Sequence, residues 1–146
     1  MKNRSVPVDA VLPHITYQNV NDAIAWLTKT FGFTEHYRYG DIEGLAQGAQ
    51  MYLGDAWIML RSARAGSATP AQLGYWTQSL TVFVDNVDAH FQRSKLSGAK
   101  IVEDLQVTAY GERQYGVEDL DSHHWLFSQH ARDVSPDEWG AKIAGR

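Results

Sequence analysis

One pattern of cap, helix and glycine occurs twice in this chain, and it limits the fold more than any other feature. The first copy is Asn19-Val20-Asn21-Asp22-Ala23-Ile24-Ala25-Trp26-Leu27, running on through Lys29 and Phe31 to Gly32-Phe33. A looser copy begins at Asp85-Asn86-Val87-Asp88-Ala89 and passes Phe91 and Leu96 to reach Gly98-Ala99. Alternating runs precede both, at residues 12–17 and 80–84. Asn and Asp side chains satisfy free N–H groups at a helix start, and glycine takes the left-handed conformation that ends one. Each copy therefore reads as strand, polar turn, short amphipathic helix, glycine stop and strand. In 146 residues, two such halves predict a single fold built from two similar modules. A repeat names no chemistry, but it directs attention to the surface between the modules.

Taken in order, residues 1–10 read as a loose arm. Leu12, His14 and Thr16 then alternate with Pro13, Ile15 and Tyr17. Asn21 or Asp22 is placed to cap the first helix, at about 22–31, which buries Ala23, Ile24, Leu27 and Phe31. Strands follow at 33–39, 45–53 and 57–60, so module one is β-α-β-β-β and covers about residues 11–61. Residues 62–78 are rich in Ala, Gly, Ser and Thr, with Pro70, and read as a long linker, a lid or a partner contact. Module two, about 79–130, repeats the order. Asp88 is placed to cap its helix, at about 88–97, and short strands follow at 101–103, 113–118 and 125–129. Residues 131–146 form a tail. There Ser135-Pro136-Asp137-Glu138 has the form of a capping box, which predicts a short helix anchored by Trp139. The fold class is α+β, with paired β-α-β-β-β modules forming a half-barrel cleft in one domain, residues 1–146.

Composition removes several functions. A formal charge of -4, with no Lys/Arg stripe, argues against nucleic acid. With no cysteine there is no disulfide, thiol nucleophile or thiolate metal ligand, which fits the cytoplasm. No apolar run approaches the ~20 residues a membrane helix needs, and Pro7, Asp9 and Pro13 interrupt any leader-like segment.

Read together, Asn19, Ala23, Trp26-Leu27, Phe31-Gly32-Phe33, Val84 to Ala89, Gly98-Ala99, Tyr110-Gly111-Glu112-Arg113 and Asp119 to Trp125 carry a resemblance. The chain resembles the vicinal oxygen chelate superfamily of glyoxalase I, bleomycin-resistance proteins and extradiol dioxygenases over residues 12–130. Within it, the likeness is greatest to the small glyoxalase-like and bleomycin-resistance-like proteins. The resemblance implies a cleft enclosed by two modules and a homodimer. For metal-dependent members it also implies ligands at the positions held here by Leu12, Met59, Ser79 and Leu126. Two of these are apolar, methionine is too soft for an oxygen-rich site, and one serine hydroxyl will not hold a divalent ion. The expectation is no metal and no cofactor. His14 and His124 with a carboxylate are the other possible combination, and His90, His123, His130, Glu112, Glu118, Asp119 and Asp121 complete the candidates.

Strand alternation assigns His14, Gln50, Tyr52, Trp57, Met59, Phe83, His124 and Leu126 to the cleft as ligand-binding residues. Aromatic and apolar surface with a few hydrogen-bonding groups is the make-up of a small-molecule site. Arg113 joins them, either as a bidentate grip on a carboxylate or phosphate or as a surface ion pair with Glu112 or Asp119. Arg38 has the same two readings. The leading function is metal-independent binding of a planar or apolar small molecule, of the drug-sequestering kind. The alternatives are an isomerase, lyase or dioxygenase using His14 or His124, and a homodimer whose cleft is vestigial.

Overall fold

The computed structural model describes residues 5–7 and 11–145, so most of the expected loose arm lies outside the described residues. The first module is β1 (His14–Tyr17), α1 (Val20–Phe31), β2 (Thr34–Tyr39), β3 (Gly48–Leu53) and β4 (Ala56–Ser62). A helical turn, α2 (Pro70–Leu73), follows it. The second module is β5 (Ser79–Phe83), α3 (Val87–Leu96), β6 (Lys100–Val107), β7 (Glu112–Glu118) and β8 (His124–His130), before a 3-10 turn at Pro136–Trp139. The two modules form four-stranded mixed sheets of the same topology, β1-β4-β3-β2 and β5-β8-β7-β6. In each, the first strand lies parallel to the last and the other pairs are antiparallel.

Two compact units result. The first extends to Thr77 and includes Asp119–His123; the second holds Gln78–Glu118 and the chain from His124 onward. In unit one, α1 buries Val20, Ala23, Ile24, Leu27 and Phe31 on the sheet side that carries Ile15, Tyr17, Met51, Ile58 and Leu60. This is the periodicity of 3.6 meeting the periodicity of 2. In unit two, Val87 and Phe91 of α3 are buried with Val82, Tyr115, Val117, Trp125 and Phe127. The Tyr115 hydroxyl meets Ser94 Oγ at 2.8 Å and His90 Nδ1 at 2.5 Å. Burial raises the Tyr115 phenol well above its ordinary pKa.

Both helix caps fall earlier than expected. Asn19 and Asn86, in extended backbone, accept from Asp22 N and Ala89 N at 3.0 Å, so Asn21, Asp22 and Asp88 are not the caps. A cap must precede the first helical residue, and the helices begin at Val20 and Val87. Asn21 instead braces the loop before β3, donating to Gly44 O at 2.9 Å and accepting from Ala46 N at 3.0 Å.

Residues 62–78 are more ordered than a plain linker. Thr69 and Gln72 make a reciprocal capping box around Pro70, and Ala71 N donates to Asp121 O at 3.0 Å. The β6 strand runs four residues beyond the expected 101–103, to Val107, through register shifts at Glu103. In the tail, Glu138 accepts from Ser135 N at 2.7 Å, while Trp139 stays exposed and leans on Tyr110 with ring centres 5.7 Å apart.

Candidate functional site

In unit one, the sheet face turned away from α1 carries most of the expected ligand contacts. The register sets His14, Met59, Gln50 and Tyr37 in one cross-strand row, and Trp57, Tyr52 and Thr34 in the next. Tyr52 and Trp57 stack with ring centres 4.7 Å apart and planes at 29°. The His36 ring meets Trp57 edge-on at 5.5 Å and 80°. His36 was not an expected site residue. Alternation from Thr34 carries it to this face, and the extra residue at the register shift between Glu35 and Tyr37 brings the Tyr37 ring to the same face.

Gln50 is fully buried beneath this surface, with its amide fully used. Its Oε1 lies 2.6 Å from His36 Nδ1, and Nε2 donates to Ser5 O at 3.0 Å and approaches Met59 Sδ at 3.3 Å. The Tyr37 hydroxyl also donates to Ser5 O, at 2.9 Å. His14 is exposed at the end of the row, its Nδ1 3.4 Å from Arg61 Nη1. Arg38 is engaged by Glu35 through bonds of 2.7 and 2.9 Å, and that bond holds the Glu35 carboxyl below its usual range. A cavity of about 300 Å³ lies elsewhere, against Asn21, Arg38, Tyr39, Asp41 and Ala46, and none of the expected ligand contacts lines it.

In unit two, His124 and Leu126 lie with Ser79, Thr81 and Phe83 on the sheet face opposite α3. Phe83 is 67% exposed there. Arg113 does not join them. It shares the parity of Tyr115 and Val117, and so lies on the α3 side, where Asp88 of α3 takes it in bonds of 3.0 and 2.7 Å. The ion-pair reading holds, with a different acid from the two expected. That contact lowers the Asp88 carboxyl and raises the Arg113 guanidinium. Glu103, also missed in the sequence, reaches His124 Nε2 at 3.1 Å across the bare backbone of Gly116, where a Cβ would collide with its carboxylate.

The donor set does not fit a divalent ion. Met59, at one implied ligand position, already takes the Gln50 amide, and Leu12, Ser79 and Leu126 offer two hydrocarbons and a hydroxyl. Among the described residues, no three His, Asp or Glu side chains are grouped to hold a metal. His123 Nε2 lies 2.6 Å from Thr16 O, and His90 packs on Phe127 at 4.1 Å. His130 has Glu112 at Nδ1 and Asp133 at Nε2, both at 2.8 Å, on opposite edges of its ring. These carboxylates, Glu112 first, raise the His130 pKa. Stability from this contact is present below the ordinary value of about 6.5 and is lost as pH rises through the raised one. NMR titration should place His130 above 6.5, and Glu112→Gln should bring it back toward that value.

Paired strand-helix-three-strand modules, each closed by a parallel pair between its first and last strands, define the class of protein. The chain belongs to the Glyoxalase/Bleomycin resistance protein/Dioxygenase superfamily, whose sequence profile matches residues 9–127. An uncharacterised protein of Mycobacterium bovis is 30% identical over 142 residues, covering 94% of this chain and 93% of its own. Among solved structures, TioX from Micromonospora sp. ML1 superposes with a TM-score of 0.69 and 31% identity, over 87% of this chain and 100% of that one. A bleomycin-binding protein complexed with bleomycin superposes with a TM-score of 0.65 and 13% identity, over 84% of this chain and 99% of that one, and shares the fold. No helix among the described residues is long and apolar enough to cross a membrane.

Proposed function

We propose that this protein binds and sequesters a planar or apolar small molecule, without metal, on the aromatic face of unit one. The observation that carries the reading is the Tyr52–Trp57 stack, edged by His36 and set beside the buried Gln50 amide. Flat π-surface with a few fixed polar atoms recognises an aromatic ring and orients it. That a relative of this fold is known in complex with bleomycin supports a binding role. Homodimerisation belongs to the same reading, supported by the exposure of Leu73, Tyr75 and Trp76 in the 62–78 segment.

A fluorescence titration against planar natural products tests it, run with and without chelator. The expected result is saturable binding, one ligand per chain and unchanged by chelator, on a particle with twice the mass of one chain by light scattering. Binding that chelator abolishes would overturn the metal-free reading. A second reading, acid-base catalysis, rests on the His124–Glu103 contact at 3.1 Å. Mass spectrometry of recovered ligand separates the two. Sequestration returns it unchanged, whereas catalysis returns a product that His124→Gln no longer makes.

A further inference from the structure

Two hydrogen-bond donors on the aromatic face of unit one converge on a single oxygen. Gln50 Nε2 and the Tyr37 hydroxyl both donate to Ser5 O, at 3.0 and 2.9 Å. His36 Nδ1, 2.6 Å from Gln50 Oε1, fixes which end of the amide is presented. Gln50 is fully buried, so this donor is held by packing and has no freedom to turn elsewhere. A buried N–H left without an acceptor is costly, so a strong acceptor belongs at this position. In this structure the acceptor is the chain's own backbone, with Pro7 buried two residues further on.

The geometry points to an acceptor-oxygen subsite, made by Gln50 and Tyr37, that takes the carbonyl of an aromatic amide or ketone ligand. The Ser5 carbonyl occupies this subsite until such a ligand displaces it. The inference rests on the stacking reading above and adds the polar half of the ligand. A ring lying against Trp57 and Tyr52 brings its carbonyl substituent toward Gln50, whose register partners are Met59 and Tyr37 on either side. The ligand exchanges one carbonyl for another at the same two donors, so no buried donor is left unpaired at the end of the exchange. A hydrocarbon of the same shape displaces Ser5 and leaves both donors only the weak acceptor sulfur of Met59. The arm thus discriminates as well as covers.

The test compares 2-naphthamide with 2-methylnaphthalene by calorimetry and tryptophan fluorescence on the full chain. The amide should bind about ten-fold more tightly, the ratio expected for one net hydrogen bond near 1.4 kcal/mol. Tyr37→Phe removes one exposed donor and should reduce that preference about three-fold; Gln50→Leu should abolish it. Pro7→Asp, which opposes seating of the arm, should raise affinity for the amide several-fold. Circular dichroism checks that Gln50→Leu still folds, and Tyr37→Phe carries the test where it does not. Equal binding of the two probes, with Tyr37→Phe indifferent, overturns the subsite and leaves the aromatic stack standing. Binding of neither probe overturns both. A preference that survives Pro7→Asp with no gain in affinity overturns the competing role of the arm.

Discussion

Asp119→Ala should lower the unfolding free energy by about 3–5 kcal/mol, because three buried or half-buried donors lose their acceptor together. The Tyr17 hydroxyl donates to Asp119 Oδ2 at 2.7 Å, and the backbone N–H groups of Asp121 and His123 both donate to Oδ1 at 3.0 Å. Asp121 then accepts from Gln18 N at 2.9 Å, and His123 Nε2 reaches Thr16 O at 2.6 Å. The Asp119–His123 segment is thereby fixed against the end of β1 within unit one. Each orphaned donor costs about 1–3 kcal/mol, offset in part where water enters. Against a usual total near 5–15 kcal/mol, the variant should be marginal at physiological temperature. Urea melts read this directly. A loss below ~1 kcal/mol would mean that water replaces the carboxylate without strain.

Tyr17→Phe separates the components, since it removes the phenol and leaves Asp119 its two backbone donors. The expected loss is about 1–2 kcal/mol. It should also change the alkaline limb of the stability curve. Burial, then the Asp119 charge beside it, raises the Tyr17 phenol well above its ordinary pKa. The folded state therefore holds the proton more tightly than the unfolded chain. That contribution is complete below a pH of about 10 and is lost as pH rises from there toward the raised pKa. The phenylalanine variant, having no proton to lose, should fall less steeply above pH ~10 than the native chain.

The repeat made the two modules legible, because alternation, an amphipathic stretch and a terminal glycine state local geometry without long-range information. The faces of β3 and β4 were legible for the same reason. Gln50, Tyr52, Trp57 and Met59 fall together because a regular strand keeps parity. Parity fails at the register shift between Glu35 and Tyr37, so Tyr37 could not be placed on this face from sequence, and similar shifts hid Glu103. Arg113 was a different kind of miss. It lies two residues before Tyr115 in a regular stretch of β7, and its side follows from counting once that tyrosine is known to be buried. Thr69-Pro70-Ala71-Gln72 has the same capping form as Ser135-Pro136-Asp137-Glu138, but its small-residue neighbours masked it. The Ser5 carbonyl left no trace, since a backbone acceptor has no side-chain signature.

Trp57→Ala should weaken binding of an aromatic ligand by about 10- to 100-fold. A planar molecule laid on the indole removes roughly 100 Å² of apolar surface from water, worth ~2.5 kcal/mol at about 25 cal/mol per Å². Loss of the 4.7 Å stack also frees the Tyr52 ring to move, so the remaining surface is less well prepared for a ligand. The effect should fall on binding more than on folding, because Trp57 is only half-buried and the core beneath it is made by Met51, Ile58 and Leu60. Melting midpoints of the variant should therefore stay within a few degrees of the native protein while its affinity collapses. Lys29→Ala, on the exposed side of α1, is the control and should leave affinity unchanged. Tyr52→Ala should reproduce a smaller share of the loss, since it supports the indole and offers the outer ring of the stack. A ligand whose affinity is indifferent to both Trp57→Ala and Tyr52→Ala would place binding on another surface, and the cavity against Asn21, Tyr39 and Asp41 would then be the one to test.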